Sequence, residues 1–170
     1  MDPIDLRKLL ENIASGAVKP DEAIKKLRRL PFADVALARI DHHRYLRQGF
    51  PEAIFGPGKS IKDLKVVLTE LLSEGIGPVI LTRASEDQLE TALTLDPTGE
   101  IFGQTAVWKR AAPQKAEVLV ITAGTADRPV ADECTAVLWA YGLQSNLLID
   151  AGVAGLHRLL ADLDRVQNAD

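Results

Sequence analysis

A single cysteine, Cys134, removes two architectures at once. An internal disulfide framework and a cysteine-cluster zinc site both need several thiols, so the fold must rest on its own apolar core. Aromatic residues make up only 5% of the chain, and basic side chains are in deficit: 20 Lys and Arg face 24 Asp and Glu, a formal net charge of −4. A partner with a nucleic-acid backbone normally calls for a basic face, so no nucleic-acid partner is expected. No window approaches the roughly 18 uninterrupted apolar residues of a membrane span, and the opening MDPIDLRKLLENIA shows no basic leader followed by an apolar stretch. The expectation is a cytoplasmic protein without a membrane partner. What the chain does have is 46% hydrophobic residues over 170 positions, enough for one ordinary domain or two small ones.

Two amphipathic helices open the sequence. Asp2 can cap a helix whose first position is Pro3 and whose stripe is Leu6, Leu9, Leu10 and Ile13; Pro20 opens a second with Ile24, Leu27 and Leu30. Lys25, Lys26, Arg28 and Arg29 form the polar face of the second, either solvated or open to an anionic ligand. ADVALARID alternates like a short strand; Ser60 and Asp63 cap a helix bearing Ile61, Leu64, Leu68, Leu71 and Leu72, and Gly75 stops it before the strand PVILTR. Ser85 and Gln88 make a second capping box ahead of Leu89 and Leu93, and EIFGQTAVWK then reads as a strand. The pattern predicts β-α-β-α-β after the helical pair. A polar break at Pro113-Gln114-Lys115 then separates an expected domain over residues 1–112 from another over 116–170.

The densest chemistry of the first half is DHHRYLRQGFPEAIFGPGK, residues 41–59. Arg44, Arg47 and Lys59 are anion-binding candidates, since guanidinium forks suit phosphate or carboxylate, with a solvated Arg–Glu loop as the plainer account. Adjacent His42 and His43 point opposite ways in an extended segment, which argues against a shared metal. GPGKS resembles a phosphate-cradling loop only in part: Ala53 stands where that loop has its first glycine, and Pro57 removes a backbone donor. A P-loop-like NTPase is therefore a secondary alternative, with Asp150 after NLLI imitating its magnesium-holding strand.

The second half repeats one device. VLVITAGTAD places Thr122, Gly124, Thr125 and Asp127, and NLLIDAGVAGLHR places Asp150, Gly152, His157 and Arg158, where a strand ends and a helix begins. Backbone amides and the helix dipole at such a point suit an anion. If the strands are parallel and adjacent, both turns open on one crevice; helix capping and a structural His157 are the competing accounts. Cys134 falls with Val130, Val137, Leu138 and Tyr141 on one apolar stripe, which predicts a buried thiol. Trp108 and Trp139 read as packing residues.

Three blocks, DHHRYLRQGFPEAIFGPGK, TAGTADRPVADE and DAGVAGLHRLL, closely resemble the pyridinium-3,5-biscarboxylic acid mononucleotide synthases (LarB), carboxylases of nickel-pincer cofactor biosynthesis. Their second domain is similar to the PurE class of aminoimidazole ribonucleotide carboxylases and mutases. The resemblance implies carboxylation of the pyridinium ring of nicotinic acid adenine dinucleotide by carbon dioxide or bicarbonate. Hydrolysis of the phosphoanhydride then leaves the biscarboxylated mononucleotide and AMP. It assigns Thr122, Gly124, Thr125, Asp127, His157 and Arg158 to the nucleotide and implies a homo-oligomer; the strand-end position adds Asp150 to that set, no tightly bound cofactor is expected, and magnesium is the metal if one is used. Family members continue past LHRLLADLDRV to a late cysteine thought to add to the ring. This sequence stops at Asp170, so the expectation is the amino-terminal part of a larger enzyme, inactive by itself. The expected fold is α/β: a helical pair and small mixed α/β domain, then an incomplete Rossmann-like (PurE-like) parallel layer. A non-catalytic nucleotide-binding or assembly module is the alternative function.

Overall fold

Pro3 and Pro20 each begin a helix, where a missing N–H costs no hydrogen bond: α1 spans Pro3–Ala14 and α2 spans Pro20–Leu27. The computed structural model describes residues 3–27, 33–34, 39–41, 44, 48–75 and 77–169. Leu9 and Ala23 are buried among the described side chains of the pair, whereas Leu10 and Ile24, predicted to face inward, are 54% and 60% exposed. Two short helices share a narrow seam, and on α2 the small Ala23 occupies it. Asp2, Arg28, Arg29 and Leu30 lie outside the described residues.

Two predicted strands and one predicted connection need correction. ADVALARID is not one strand, because its ends pair with each other: β1 (Ala33–Asp34) runs antiparallel to β2 (Arg39–Ile40). The supposed connection over 41–59 contains β3 (Ala53–Phe55), and EIFGQTAVWK is a hairpin, β5 (Glu100–Phe102) and β6 (Thr105–Trp108), turning at Gly103 and Gln104. Alternation reveals extended backbone but not where it reverses. Between β3 and the hairpin come α3 (Ile61–Glu74), β4 (Val79–Thr82) and α4 (Glu86–Leu95). The sheet order is β3-β4-β6-β5, with β3 parallel to β4 and the remaining pairs antiparallel.

Both capping expectations are borne out. Ser60 Oγ accepts the Asp63 N–H at 3.1 Å, and Ser85 Oγ accepts the Gln88 N–H at 3.3 Å while Gln88 Oε1 accepts the Ser85 N–H at 3.1 Å. On α3, Leu64, Val67, Leu68 and Leu71 follow the helical repeat and are buried against Val79, Leu81, Ala106 and Trp108 of the sheet. The intervening strand residues Ile80 and Val107 point to the other face, where they meet Ala140 and Val137. A strand covered on both faces has no polar side, which is why all four residues of β4 are buried.

That second face is covered by α5 (Arg128–Ala140), which lies between β7 (Glu117–Ile121) and β8 (Gln144–Leu148) in the chain. As predicted, β7 and β8 are parallel neighbours, from Glu117 opposite Gln144 to Ile121 opposite Leu148. Helix α5 packs on this pair and on β4, β5 and β6 as well. Small residues make that double contact possible: Ala131, Ala136 and Ala140 are its buried side chains. Cys134 is therefore not buried as predicted but exposed, beside the outward-facing Val130. The segment after β6 is bonded to the far end of the same helix, through Ala111 N–H to Ala140 O at 2.9 Å and Gln114 N–H to Gly142 O at 2.8 Å. The predicted last helix divides at Asp162 into α6 (Leu156–Ala161) and α7 (Leu163–Gln167). From α7, Arg165 Nη2 donates to Leu147 O at 3.1 Å, on the edge of β8 away from β7. The architecture is α/β with a parallel pair, as expected.

Candidate nucleotide site

Because β7 and β8 are parallel and in register, the turns after them leave from the same end of the pair. They are bonded to each other. Thr122, 5% exposed, donates its N–H to Leu148 O and accepts the Ala151 N–H on its carbonyl, both at 2.9 Å. Its hydroxyl accepts the Asp150 N–H at 3.2 Å. Gly152 completes the approach, since a Cβ there would lie 2.6 Å from Ala123 O.

Asp150 holds a left-handed backbone, φ 61°, which aspartate tolerates better than most residues. From there its Oδ2 accepts a hydrogen bond from Arg158 Nη1. The two side chains are 45% and 40% exposed, so the ion pair is open to solvent and to a ligand. Arg158 also lies over Gly155, where an added Cβ would meet its Nε at 2.7 Å. In the first turn the Asp127 Oδ2 accepts the Gly124 N–H at 3.0 Å, so the protein's own carboxylate occupies an amide that was expected to meet an anion. Thr125, Asp127 and His157 are exposed.

The structure thus joins Thr122, Asp150, Gly152 and Arg158, with Gly124 and Asp127 coupled on the adjoining turn. Lys59 and Arg44 are not joined to them or to each other. Arg44 donates its N–H to Asp41 O, and Asp41 N–H donates to the Glu52 carboxylate just before β3, whereas Lys59 follows the other end of that strand. Arg47, His42 and His43 lie outside the described residues. Nor does GPGKS present a phosphate cradle. Gly56 N–H donates to Thr82 O and Lys59 N–H to Gly56 O, while the Gln88 amide occupies the Gly56 and Lys59 carbonyls at 3.0 and 2.9 Å.

The family profile described as LarB/PurE-like N-terminal domain matches residues 32–120, more than half of the chain. This chain belongs to the LarB/PurE-like family. An uncharacterized protein of Methanocaldococcus jannaschii is 28% identical over 177 aligned positions, spanning 98% of this chain and 69% of that relative. Membership supports a carboxylase- or mutase-type role. The matched segment holds the β1–β2 pair, the mixed sheet with α3 and α4, and most of β7, so the family assignment rests on the layer beside the paired turns rather than on the turns themselves.

Sequence reasoning missed a neighbouring feature of this LarB/PurE-like chain. Arg83, at the end of β4, has a left-handed backbone of φ 49°. Its Nε is 2.9 Å from Glu133 Oε2 of α5, and its guanidinium lies 5.7 Å from the centre of the Phe55 ring. Nothing in the composition around PVILTRAS marks that residue, because the bond depends on a helix 50 positions away. Among the described residues no group of three or more His, Cys, Asp or Glu could hold a metal ion, and no helix is long and apolar enough to cross a membrane.

Proposed function

We propose that this LarB/PurE-like chain binds nicotinic acid adenine dinucleotide across its paired turns and serves carboxylation of the pyridinium ring by carbon dioxide or bicarbonate, with release of AMP. The observation that carries the reading is the Thr122–Asp150 bond, which holds two strand-end turns together beside a family-matched layer. Strand carboxyl ends at such a junction are where open α/β sheets bind nucleotides. Arg158 supplies positive charge to a phosphate, sharing it with Asp150. Thr125 offers its hydroxyl to ribose or phosphate, the second oxygen of Asp127 accepts from a ribose hydroxyl, and His157 flanks the second turn. Magnesium, where needed, arrives with the phosphates, since it commonly takes few protein ligands and keeps several waters. Arg44 and Lys59 fall outside this crevice.

Cys134 is six positions into the chain beyond Arg128, about 10 Å of helix rise from Asp127. It lies outside the paired turns and is not assigned the thiolate role of such a ring addition. That placement favours a second reading, in which residues 1–170 bind the dinucleotide without turning it over. Calorimetry with the dinucleotide, followed by mass spectrometry after incubation with carbon-13 bicarbonate, separates the two readings. Binding with a labelled biscarboxylated product establishes the first, binding alone the second, and absence of binding removes both.

A further inference from the structure

A groove of about 490 Å³ adjoins the first turn of α5, within the usual range for a small-molecule site. It opens between Arg83, the β5–β6 turn at Gly103 and Gln104, and Pro129, Val130, Asp132 and Glu133. Pro129 is two residues after Asp127, about 3 Å of helix rise, so the groove and the paired turns share one helix start.

Its chemistry is selective. Phe102, Pro129 and Val130 provide apolar surface. Both carboxylates on its rim already have cations: Glu133 pairs with Arg83 at 2.9 Å and Asp132 with Arg128 at 2.6 Å. The rim therefore has no surplus positive charge for a phosphate, but a carboxylate keeps further lone pairs that accept from an amino group. Gln104 is exposed at the lip and carries the amide that can both donate to and accept from the edge of an adenine. Arg83, held between Glu133 and the Phe55 ring, presents a guanidinium plane on which a flat heterocycle stacks.

We infer that this groove receives the adenine base of the dinucleotide, which leaves the pyridine half to the turn bearing Asp150 and Arg158. The inference rests on the function proposed above and assigns its two halves. Adenine brings an amino group to the carboxylates; the pyridine half brings a carboxylate, which Asp132 and Glu133 repel.

The test is calorimetry of the full chain with AMP, GMP, nicotinic acid mononucleotide and the dinucleotide. It is repeated on Gln104→Ala and on Val130→Trp, which fills the groove from a position 60% exposed and so spares the core. The expected result is a roughly tenfold or greater loss for AMP and the dinucleotide in both variants, as for one lost polar contact to a charged or amide group. Nicotinic acid mononucleotide should bind unchanged. GMP, whose O6 would face the carboxylates, should bind wild type about tenfold more weakly than AMP. No AMP binding to wild type, unchanged AMP affinity in the variants, or an equal loss for nicotinic acid mononucleotide overturns the inference. AMP binding that is sensitive to Gln104, without any carboxylated product from the dinucleotide, upholds the groove and removes the carboxylase reading alone. Product formation by Val130→Trp at an unaltered KM removes the groove alone.

Discussion

Thr122 Oγ1 accepts the backbone N–H of Asp150 at 3.2 Å across a separation of 28 residues, and the Thr122 carbonyl accepts the next amide, Ala151, at 2.9 Å. One buried threonine therefore holds the second turn against the first. Its hydroxyl serves the partner turn rather than solvent.

Thr122→Val keeps the shape and removes that acceptor, leaving the Asp150 amide without its bond. The expected loss of stability is about 1–3 kcal/mol, read by urea denaturation, with weakened dinucleotide binding. Thr122→Ser should retain both, and equal behaviour of the Val and Ser variants would refute the locking role.

Arg158→Ala tests charge at the crevice. Its ion pair with Asp150 is partly exposed on both sides, so stability should fall by no more than about 1 kcal/mol. Nucleotide affinity should fall by about 1.5–3 kcal/mol, as for a lost charged hydrogen bond. Matching calorimetric affinities for wild type and variant would reduce Arg158 to a partner of Asp150.

For Cys134 the expectation is indifference. Cys134→Ser should change stability by less than about 0.5 kcal/mol, as at other exposed positions, and leave nucleotide affinity intact. A thiol reagent should label the folded wild type at the rate of an accessible cysteine; protection until unfolding would contradict the exposed placement on α5.

Self-association is the expected consequence of the surface of the second layer. Val153, Leu156 and Leu160 are 81%, 50% and 54% exposed, and clustered apolar surface of this kind commonly marks an interface. Light scattering should give a mass above that of one 18.5 kDa chain, and Leu156→Glu with Leu160→Glu should lower it. A monomer at all concentrations would defeat the proposal.

Among the described residues, Asp96 contributes to acid sensitivity. Thr98 donates both its hydroxyl and its N–H to Asp96 Oδ1, at 2.6 and 2.9 Å. With Lys109 nearby, these bonds lower the Asp96 pKa below its ordinary 3.8. A depressed folded-state pKa stabilises above the unfolded value and loses that effect as pH falls through the folded one. Carbon-detected titration should find Asp96 below 3.8 in wild type and closer to it in Thr98→Val; no difference would reject the bond as the cause.

Capping chemistry and helical spacing were legible because they are local: Ser60 with Asp63, Ser85 with Gln88, and the stripe through Leu64, Leu68 and Leu71 need only their own neighbours. The parallel pairing of VLVI with NLLI was legible for a related reason, since a crossover helix of suitable length lies between them. What escaped was set from a distance. Ile24 and Cys134 lie on faces that periodicity marks as apolar, yet alanines take the seams because they let backbones approach closely. The hairpin at Gly103 and Gln104 was hidden inside a continuous β-prone run, and Arg83 acquires its meaning only from Glu133. At the site, the residue types and a capping role for Thr125 or Asp127 were readable from strand-turn-helix order, but not that the Asp127 carboxylate takes the Gly124 amide.

The helix with Ala131, Ala136 and Ala140 on its buried surface belongs to neither sheet alone. Ile80 and Val107 on one side, and β7 and β8 on the other, are shielded by the same turns of backbone. Melting of either sheet strips the cover from its neighbour, so heat or denaturant should produce one cooperative transition rather than two. A chain severed after residue 112 would yield two fragments, each carrying the apolar face that the other had covered.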